Sequence, residues 1–151
     1  WLDHAARLGL SPRSLIIEIT EAVLLDGAAQ VGERLRALRE MGLQVALDNF
    51  GTGYSSLAYL KHFGIDLLKL DHSFIQHLAH DSGDLAMCEA LILMAHKLGL
   101  RVVAEGVETA AQRNLLELAG CDFAQGHVYA PAMPAPAFGA LARQGLPPPG
   151  E

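Results

Sequence analysis

The sequence has few cysteines, no basic cluster and no long uninterrupted apolar run, and each absence excludes a class of protein. Two cysteines in 151 residues, Cys88 and Cys121, form neither a disulfide framework nor a zinc motif. The 11 lysines and arginines are dispersed and outnumbered by 17 acidic residues, which argues against DNA or RNA as a partner. The apolar stretch at residues 85–100 is interrupted by Glu89, His96 and Lys97, so no membrane segment is expected. These features indicate a cytoplasmic location, although a parent protein could be membrane-anchored elsewhere.

What the sequence does contain is a regular alternation of aliphatic and amphipathic segments. Runs of aliphatic residues predict strands at residues 15–20, 43–47, 65–71, 100–105 and 121–125. Apolar residues at helical spacing, with their end signals, predict helices at residues 1–9, 28–41, 55–63, 82–98, 109–119 and 136–144. Residues 1–145 are therefore expected to form one α/β domain, with residues 146–151 as a proline-rich tail.

The alternation fits either a doubly wound parallel sheet or part of a (β/α)8 barrel. Polar residues favour the barrel, because they fall at the carboxyl ends of different strands: Glu18, Asp48, Lys69, Asp71 and Glu105. In a barrel, those ends surround one shared pocket. A complete barrel has eight units and usually about 250 residues. The prediction is a partial TIM-type barrel with about five βα units, lacking its N-terminal units.

The stretch from Val45 to Leu57 carries the strongest functional signal. Asp48 and Asn49 end an apolar strand, and a carboxylate in such a place needs a cationic partner. The glycines that follow allow a sharp turn and close approach to a ligand. Because the converging ligands are oxygen-rich and Lys69 is the nearby cation, Mg²⁺ or Mn²⁺ is favoured over zinc. Metal-assisted hydrolysis of a phosphodiester is the leading chemistry.

Five ordered motifs resemble those of the EAL domain family, bacterial cyclic di-GMP phosphodiesterases. They are Glu18-Ile-Thr-Glu21, Asp48-Asn-Phe-Gly-Thr-Gly-Tyr-Ser-Ser-Leu57, Lys69-Leu-Asp-His-Ser-Phe-Ile75, Ala104-Glu-Gly-Val-Glu-Thr109 and Gly120-Cys-Asp-Phe-Ala-Gln-Gly126. The similarity runs from about Leu8 to Phe138. It implies the carboxyl-terminal part of an EAL domain, a hydrolase of bacterial signalling, with cyclic di-GMP as ligand and a homodimer formed through the loop and helix after Asp48.

The resemblance also implies roles for individual residues. Glu18, Asp48, Asn49 and Glu105 match metal-site positions, and Lys69 matches the lysine that contacts the attacking water. Glu105 is the second catalytic candidate, as a proton acceptor. Glu21 matches a residue that fastens the glycine loop. The other supporting positions around the pocket are Asp71, Glu108 and Gln125.

Three departures from the family pattern define the alternatives. The opening half with the Glu-Ala-Leu signature and an asparagine ligand does not occur in this chain. Asn49 stands where active members carry a second aspartate, and Ala130-Pro131-Ala132 lacks a basic residue. We therefore expect this chain by itself to be inactive. The alternatives are a non-hydrolytic module that binds cyclic di-GMP or a protein, and an unrelated metal-dependent barrel enzyme of enolase type.

Overall fold

The computed structural model of the chain describes residues 2–26, 28–51, 60 and 63–145. Five strands form one sheet in the order β1 (Ile16–Thr20), β2 (Gln44–Phe50), β3 (Leu67–Leu70), β4 (Arg101–Glu105) and β5 (Phe123–Gln125). Each strand is parallel to its neighbour. The sheet is open, with β1 and β5 at its edges within the described residues. The predicted α/β class and all five predicted strands are confirmed.

A 3-10 helix (Pro12–Ser14) and seven α-helices are described: α1 (Leu2–Arg7), α2 (Glu21–Asp26), α3 (Ala28–Glu40), α4 (His72–Ile75), α5 (Ser82–Lys97), α6 (Ala110–Leu118) and α7 (Ala135–Gln144). The sequence patterns missed α2 and α4, because one or two helical turns are too short to show a helical period. Most of the predicted helix at residues 55–63, and the whole tail at residues 146–151, lie outside the described residues. No helix in the described part of the chain is long and apolar enough to cross a membrane.

The two faces of the sheet alternate along every strand. One face is covered by helices, and its central residues are at most 1% exposed: Val45, Leu47, Leu68, Leu70, Val102 and Ala104. These residues pack with apolar side chains of the helices, such as Leu35, Ile75 and Ile92. Burial of one leucine contributes about 1.5–3 kcal/mol. This face therefore holds the main hydrophobic core.

The opposite face, here called the concave face, carries the alternate residues of each strand. It bounds an open groove of about 320 Å³ whose lining includes Ile16, Glu18, Lys69, Arg101 and Phe123. Ile16 and Phe123 are 47% and 45% exposed. The guanidinium of Arg101 lies 5.3 Å from the centre of the Phe123 ring. The same five strands thus carry a closed apolar face and a second face whose groove holds both apolar and charged side chains.

Two aspartates join the amino ends of neighbouring strands. Asp66 accepts the Val45 N–H at 2.9 Å and pairs with Arg39 at 3.2 Å. Asp122 accepts the Val102 N–H at 2.8 Å and lies 2.9 Å from Nε2 of His96. These contacts lie at the end of the sheet away from the carboxyl ends of the strands. They therefore stabilise the fold without contributing to the site described next.

Candidate functional site

The side chain of Lys69 is the centre of the site at the carboxyl ends of the strands. Its Nζ lies 2.7 Å from Oε2 of Glu18 and 2.7 Å from Oε1 of Glu105. Oδ1 of Asp48 is 3.3 Å away. The four residues come from β1, β2, β3 and β4, and the parallel register brings them to one edge of the sheet. The structure therefore brings together the predicted residues Glu18, Asp48, Lys69 and Glu105.

Lys69 is charged and acts as a hydrogen-bond donor. It is 6% exposed. Burial by itself lowers the pKa of Lys69, but hydrogen bonds to Glu105 and Glu18 outweigh burial and raise that pKa above its usual range. The ammonium can therefore donate to an oxygen but cannot act as a base near neutral pH. Lys69 is therefore not the proton acceptor of the site.

The cluster as a whole is anionic, because three carboxylates surround one ammonium. Lys69 neutralises part of this charge, and the remaining charge favours a cation at the solvent side of the site. The carboxylates are accessible from that side, since the Glu18 and Glu105 side chains are 51% and 23% exposed.

The backbone at Asp48 and Asn49 departs from a regular strand. The sequence predicted that the strand ends at Leu47, but β2 continues to Phe50 with a register shift between Leu47 and Phe50. Asn49 has φ of 56°, a left-handed conformation that asparagine and aspartate adopt more readily than other side chains. The Asn49 N–H donates to Oδ1 of Asp48 at 3.0 Å. This bulge explains why two polar residues can follow one another at the end of a buried strand.

Glu21 lies beside the site at the start of α2. Both carboxylate oxygens are buried and have no hydrogen-bond partner among the described residues. A buried carboxylate without a partner is costly. The predicted partner of Glu21 is the glycine loop, which lies largely outside the described residues. The fastening role of Glu21 thus stays a prediction.

The other three supporting residues lie in different surroundings. Asp71 caps α4, because its Oδ1 accepts the Ser73 N–H at 2.9 Å. Hydrogen bonds from Ser73 hold the pKa of Asp71 below its usual range. The predicted strand at residues 65–71 includes Asp71, but β3 ends at Leu70, so Asp71 follows the strand. Glu108 is exposed in the loop before α6, and Gln125 lines the groove at the end of β5.

Sequence reasoning missed the buried polar residue Gln112. Gln112 is 5% exposed in the first turn of α6. With Thr109 it forms a reciprocal capping box, in which each side chain accepts a backbone N–H of the other residue. Thr109 followed by a glutamine three residues later matches the capping-box pattern, and this was the signal that could have found Gln112.

Neither cysteine belongs to the site. Both are free, as predicted, and Cys88 is fully buried. Burial raises the pKa of the Cys88 thiol to about 11, so this thiol is protonated and unreactive. Cys121 is half-buried.

The donor set of the site suits a hard divalent cation by its chemistry. Glu18, Asp48 and Glu105 offer only carboxylate oxygens, which Mg²⁺ and Mn²⁺ prefer. In the described part of the chain, no three acidic, histidine or cysteine side chains are already grouped to hold an ion. The carboxylates point at Lys69 instead, and each could turn toward an ion on its solvent side. The residues fit a metal as a partial ligand set.

Comparison with known proteins gives the same family from sequence and structure. The profile of the EAL domain matches residues 1–132. The bifunctional diguanylate cyclase/cyclic di-GMP phosphodiesterase MucR of Pseudomonas aeruginosa is 44% identical over 85% of this chain and 19% of MucR. The solved EAL domain of Mycobacterium smegmatis DcpA superposes with a TM-score of 0.89 at 38% identity, over 95% of this chain and 65% of that structure.

A second solved structure contains a metal and a nucleotide. The manganese/cy-diGMP complex of Klebsiella pneumoniae BlrP1 superposes with a TM-score of 0.79 at 32% identity, over 86% of this chain and 33% of that structure. These superpositions confirm the predicted partial barrel. The chain spans between 15% and 32% of the length of the curated relatives it matches.

Proposed function

This chain belongs to the EAL domain family, and we propose that residues 1–145 form the carboxyl-terminal part of a cyclic di-GMP phosphodiesterase domain. The observation that carries the proposal is the convergence of Glu18, Asp48 and Glu105 on buried Lys69. Relatives described as cyclic di-GMP phosphodiesterases support it. The reaction is hydrolysis of one phosphodiester bond of a cyclic dinucleotide, and the proposed location is the cytoplasm, which the two free thiols favour.

We assign Mg²⁺ or Mn²⁺ to Glu18, Asp48, Asn49 and Glu105. Such an ion supplies a Lewis acid that lowers the pKa of a water and neutralises phosphate charge. Lys69 then orients the attacking oxygen by donating from its ammonium, which is the only protonation state its surroundings allow near neutral pH. Glu105 accepts the proton of that oxygen. Supporting roles around the pocket fall to Glu21, Asp71, Glu108 and Gln125.

This chain alone is expected to turn over little cyclic di-GMP. The groove beside the site is open to solvent at its edges, with Ile16 and Phe123 nearly half exposed. An open groove excludes water poorly and holds few groups against the second half of a dinucleotide. The homodimer that the family resemblance implies, formed through the loop and helix after Asp48, is a further part of the proposal.

A chimera tests the proposal directly. The amino-terminal part of the MucR phosphodiesterase domain is joined to this chain, and the linear dinucleotide is measured by chromatography with cyclic di-GMP and Mn²⁺. We expect turnover that requires Mn²⁺ and disappears in Lys69→Met, whereas Lys97→Met on the exposed end of α5 keeps it. A chimera that binds no cyclic di-GMP and forms no product would contradict the proposal. Rapid turnover by the chain alone would contradict its predicted inactivity.

A non-hydrolytic module that binds cyclic di-GMP or a protein is the second candidate, and Asn49 favours it. A neutral amide contributes less to a second metal than a carboxylate does. Because aspartate also tolerates the left-handed backbone of position 49, Asn49→Asp changes charge with little change of geometry. Binding without hydrolysis in the chimera, converted to hydrolysis by Asn49→Asp, would support this second function.

A further inference from the structure

Gln112 joins the two loops that follow Lys69 and Glu105. Its side-chain NH₂ donates to the carbonyl of Ile75 at 3.0 Å and to that of Gln76 at 3.4 Å. Its Oε1 accepts the N–H groups of Glu108 and Thr109 at 2.9 Å and 3.0 Å. One buried amide thus satisfies backbone groups on both sides of the site.

The two bridged segments lead directly to the central ion pair. Ile75 and Gln76 end α4, which begins at His72 immediately after β3 and its Asp71 cap. Glu108 and Thr109 lie three and four residues after Glu105 at the end of β4. The bridge through Gln112 therefore closes a ring that runs from Lys69 through α4 and back to Glu105.

Gly106 allows the loop after β4 to pack closely against its neighbours. Gly106 has φ of 73°, and a Cβ built there would meet Cβ of His72 at 2.7 Å, so the loops after β3 and β4 are in contact. On the other side the Val107 N–H donates to the carbonyl of Gln125 at 3.0 Å. The loop after Glu105 thus contacts the loop after β3 on one side and the end of β5 on the other. The side chain of Gln112 bonds this loop to the end of α4.

From this geometry we propose that Gln112 is a positioning residue, which sets the distance between Lys69 Nζ and Glu105 by clamping the loop after β4 to the end of α4. Gln112 itself touches neither member of the pair in the contacts described. The proposal deepens the proposed function and rests on it for the catalytic meaning of the pair. The clamp itself can be tested without turnover.

The chain offers a direct reporter, because it contains three lysines, Lys61, Lys69 and Lys97. Nitrogen-15 NMR of lysine-labelled chain then gives at most three ammonium signals, and Lys69→Met identifies the one from the site. An ammonium held by two carboxylates at 2.7 Å is expected to exchange its protons more slowly than the ammonium of exposed Lys97.

The informative variant is Gln112→Glu, because glutamate at this position still accepts the capping N–H groups. It replaces the NH₂ donor by an oxygen that faces the carbonyls of Ile75 and Gln76. The α6 cap is kept while the bridge to α4 is lost. Gln112→Ala removes both the side-chain acceptor and the side-chain NH₂ donor, so it loses the cap and the bridge together.

Asp66→Asn is the matched control, since Asp66 joins strands at the opposite end of the sheet. We expect Gln112→Glu to move the Lys69 signal toward exposed lysines and to lose its slow exchange, while Asp66→Asn leaves the signal in place. A folded Gln112→Glu chain with an unchanged Lys69 signal would overturn the proposal. An equal shift in Asp66→Asn would overturn it too, because general loosening would then suffice.

The same variants separate this proposal from the proposed function. In the active chimera, Gln112→Glu is expected to lower kcat with little change in KM. A moved Lys69 signal in a chain whose chimera never hydrolyses cyclic di-GMP would support the clamp and contradict the phosphodiesterase. An unmoved Lys69 signal together with normal hydrolysis by the chimera would contradict the clamp and support the phosphodiesterase.

Discussion

The two faces of the sheet are made by the same strands but obey different physical demands. On the helix-covered face, Leu47, Leu68 and Val102 are at most 1% exposed and belong to the apolar core. On the concave face, Lys69 is almost as buried, yet it is surrounded by carboxylates and bounds an open groove. The comparison teaches that burial alone does not identify the core, because a side chain can be buried by its charged partners. Stability should depend mainly on the first face and ligand chemistry on the second.

Two adjacent leucines on β3 provide the sharpest test of this difference. Leu68 is 0% exposed in the helix-covered core, and Leu67 is 3% exposed on the floor of the groove. We expect Leu68→Ala to lower the free energy of unfolding by about 3–5 kcal/mol, because the closed core cannot fill the cavity. Leu67→Ala should lower it by about 1–3 kcal/mol, since solvent reaches the groove. Urea unfolding measures both, and an equal or larger loss for Leu67→Ala would abolish the distinction.

Lys69→Met should produce the next largest effect and shows what holds the concave face together. Without the ammonium, three carboxylates face one another, and we expect a loss of about 1–3 kcal/mol at neutral pH and low salt. The half-exposed Glu18 keeps the loss below that of a fully buried pair. Added Mn²⁺ should restore part of the stability of Lys69→Met, measured by thermal unfolding.

The pH dependence of the same variant follows from the raised pKa of Lys69. A pKa that is higher in the folded state adds stability below the unfolded lysine value of about 10.4, and this stability is lost as the pH rises through the folded value. Wild type and Lys69→Met should therefore differ at neutral pH and converge in strong alkali. Lys97→Met should follow wild type throughout, and an undiminished difference between wild type and Lys69→Met in strong alkali would contradict this prediction.

Asp122→Asn changes a contact at the amino end of the sheet, away from Lys69 and its carboxylates. Burial alone would raise the pKa of Asp122, but hydrogen bonds from His96 and the Val102 N–H lower it overall. The stability it adds is therefore present above its unfolded pKa of about 3.9 and lost as the pH falls through the folded value. We expect Asp122→Asn to lower the free energy of unfolding by about 1 kcal/mol at pH 7. Below pH 4, the stability of this variant should fall less steeply than that of wild type. If urea unfolding shows the same loss of stability below pH 4 in wild type and in Asp122→Asn, the prediction is wrong.

The smallest effect is expected at the exposed rim of the concave face. Phe123→Leu removes the ring beneath Arg101 while keeping an apolar side chain at a position that is 45% exposed. We expect a loss of about 0.5–1 kcal/mol, the value of an exposed cation–π contact. Arg101→Gln should give a similar loss, and the double variant should lose no more than either single one. Additive losses in thermal unfolding would mean that the two side chains act independently.

The sequence was sufficient for the fold class and for four polar residues that meet at the carboxyl ends of the strands. Aliphatic runs located the five strands, and the acidic residues and the lysine at their ends located Glu18, Asp48, Lys69 and Glu105. This works because parallel strands align their carboxyl ends, so a position in the sequence translates directly into a place in the sheet. The single turn α4 and the bulge at Asn49 escaped prediction, because they depend on a few backbone angles rather than on a periodic pattern.

The sequence did not predict which charged side chains form ion pairs. Lys69 contacts carboxylates that are 51, 21 and 36 positions away in the chain. Asp71 caps α4. The sequence by itself determined which chemical groups arrive at this edge of the sheet, because alternation and strand order fix faces and ends. Only the tertiary structure decided which groups touch, because hydrogen bonds of 2.7 Å depend on register, on the β2 bulge and on loops held by residues such as Gln112.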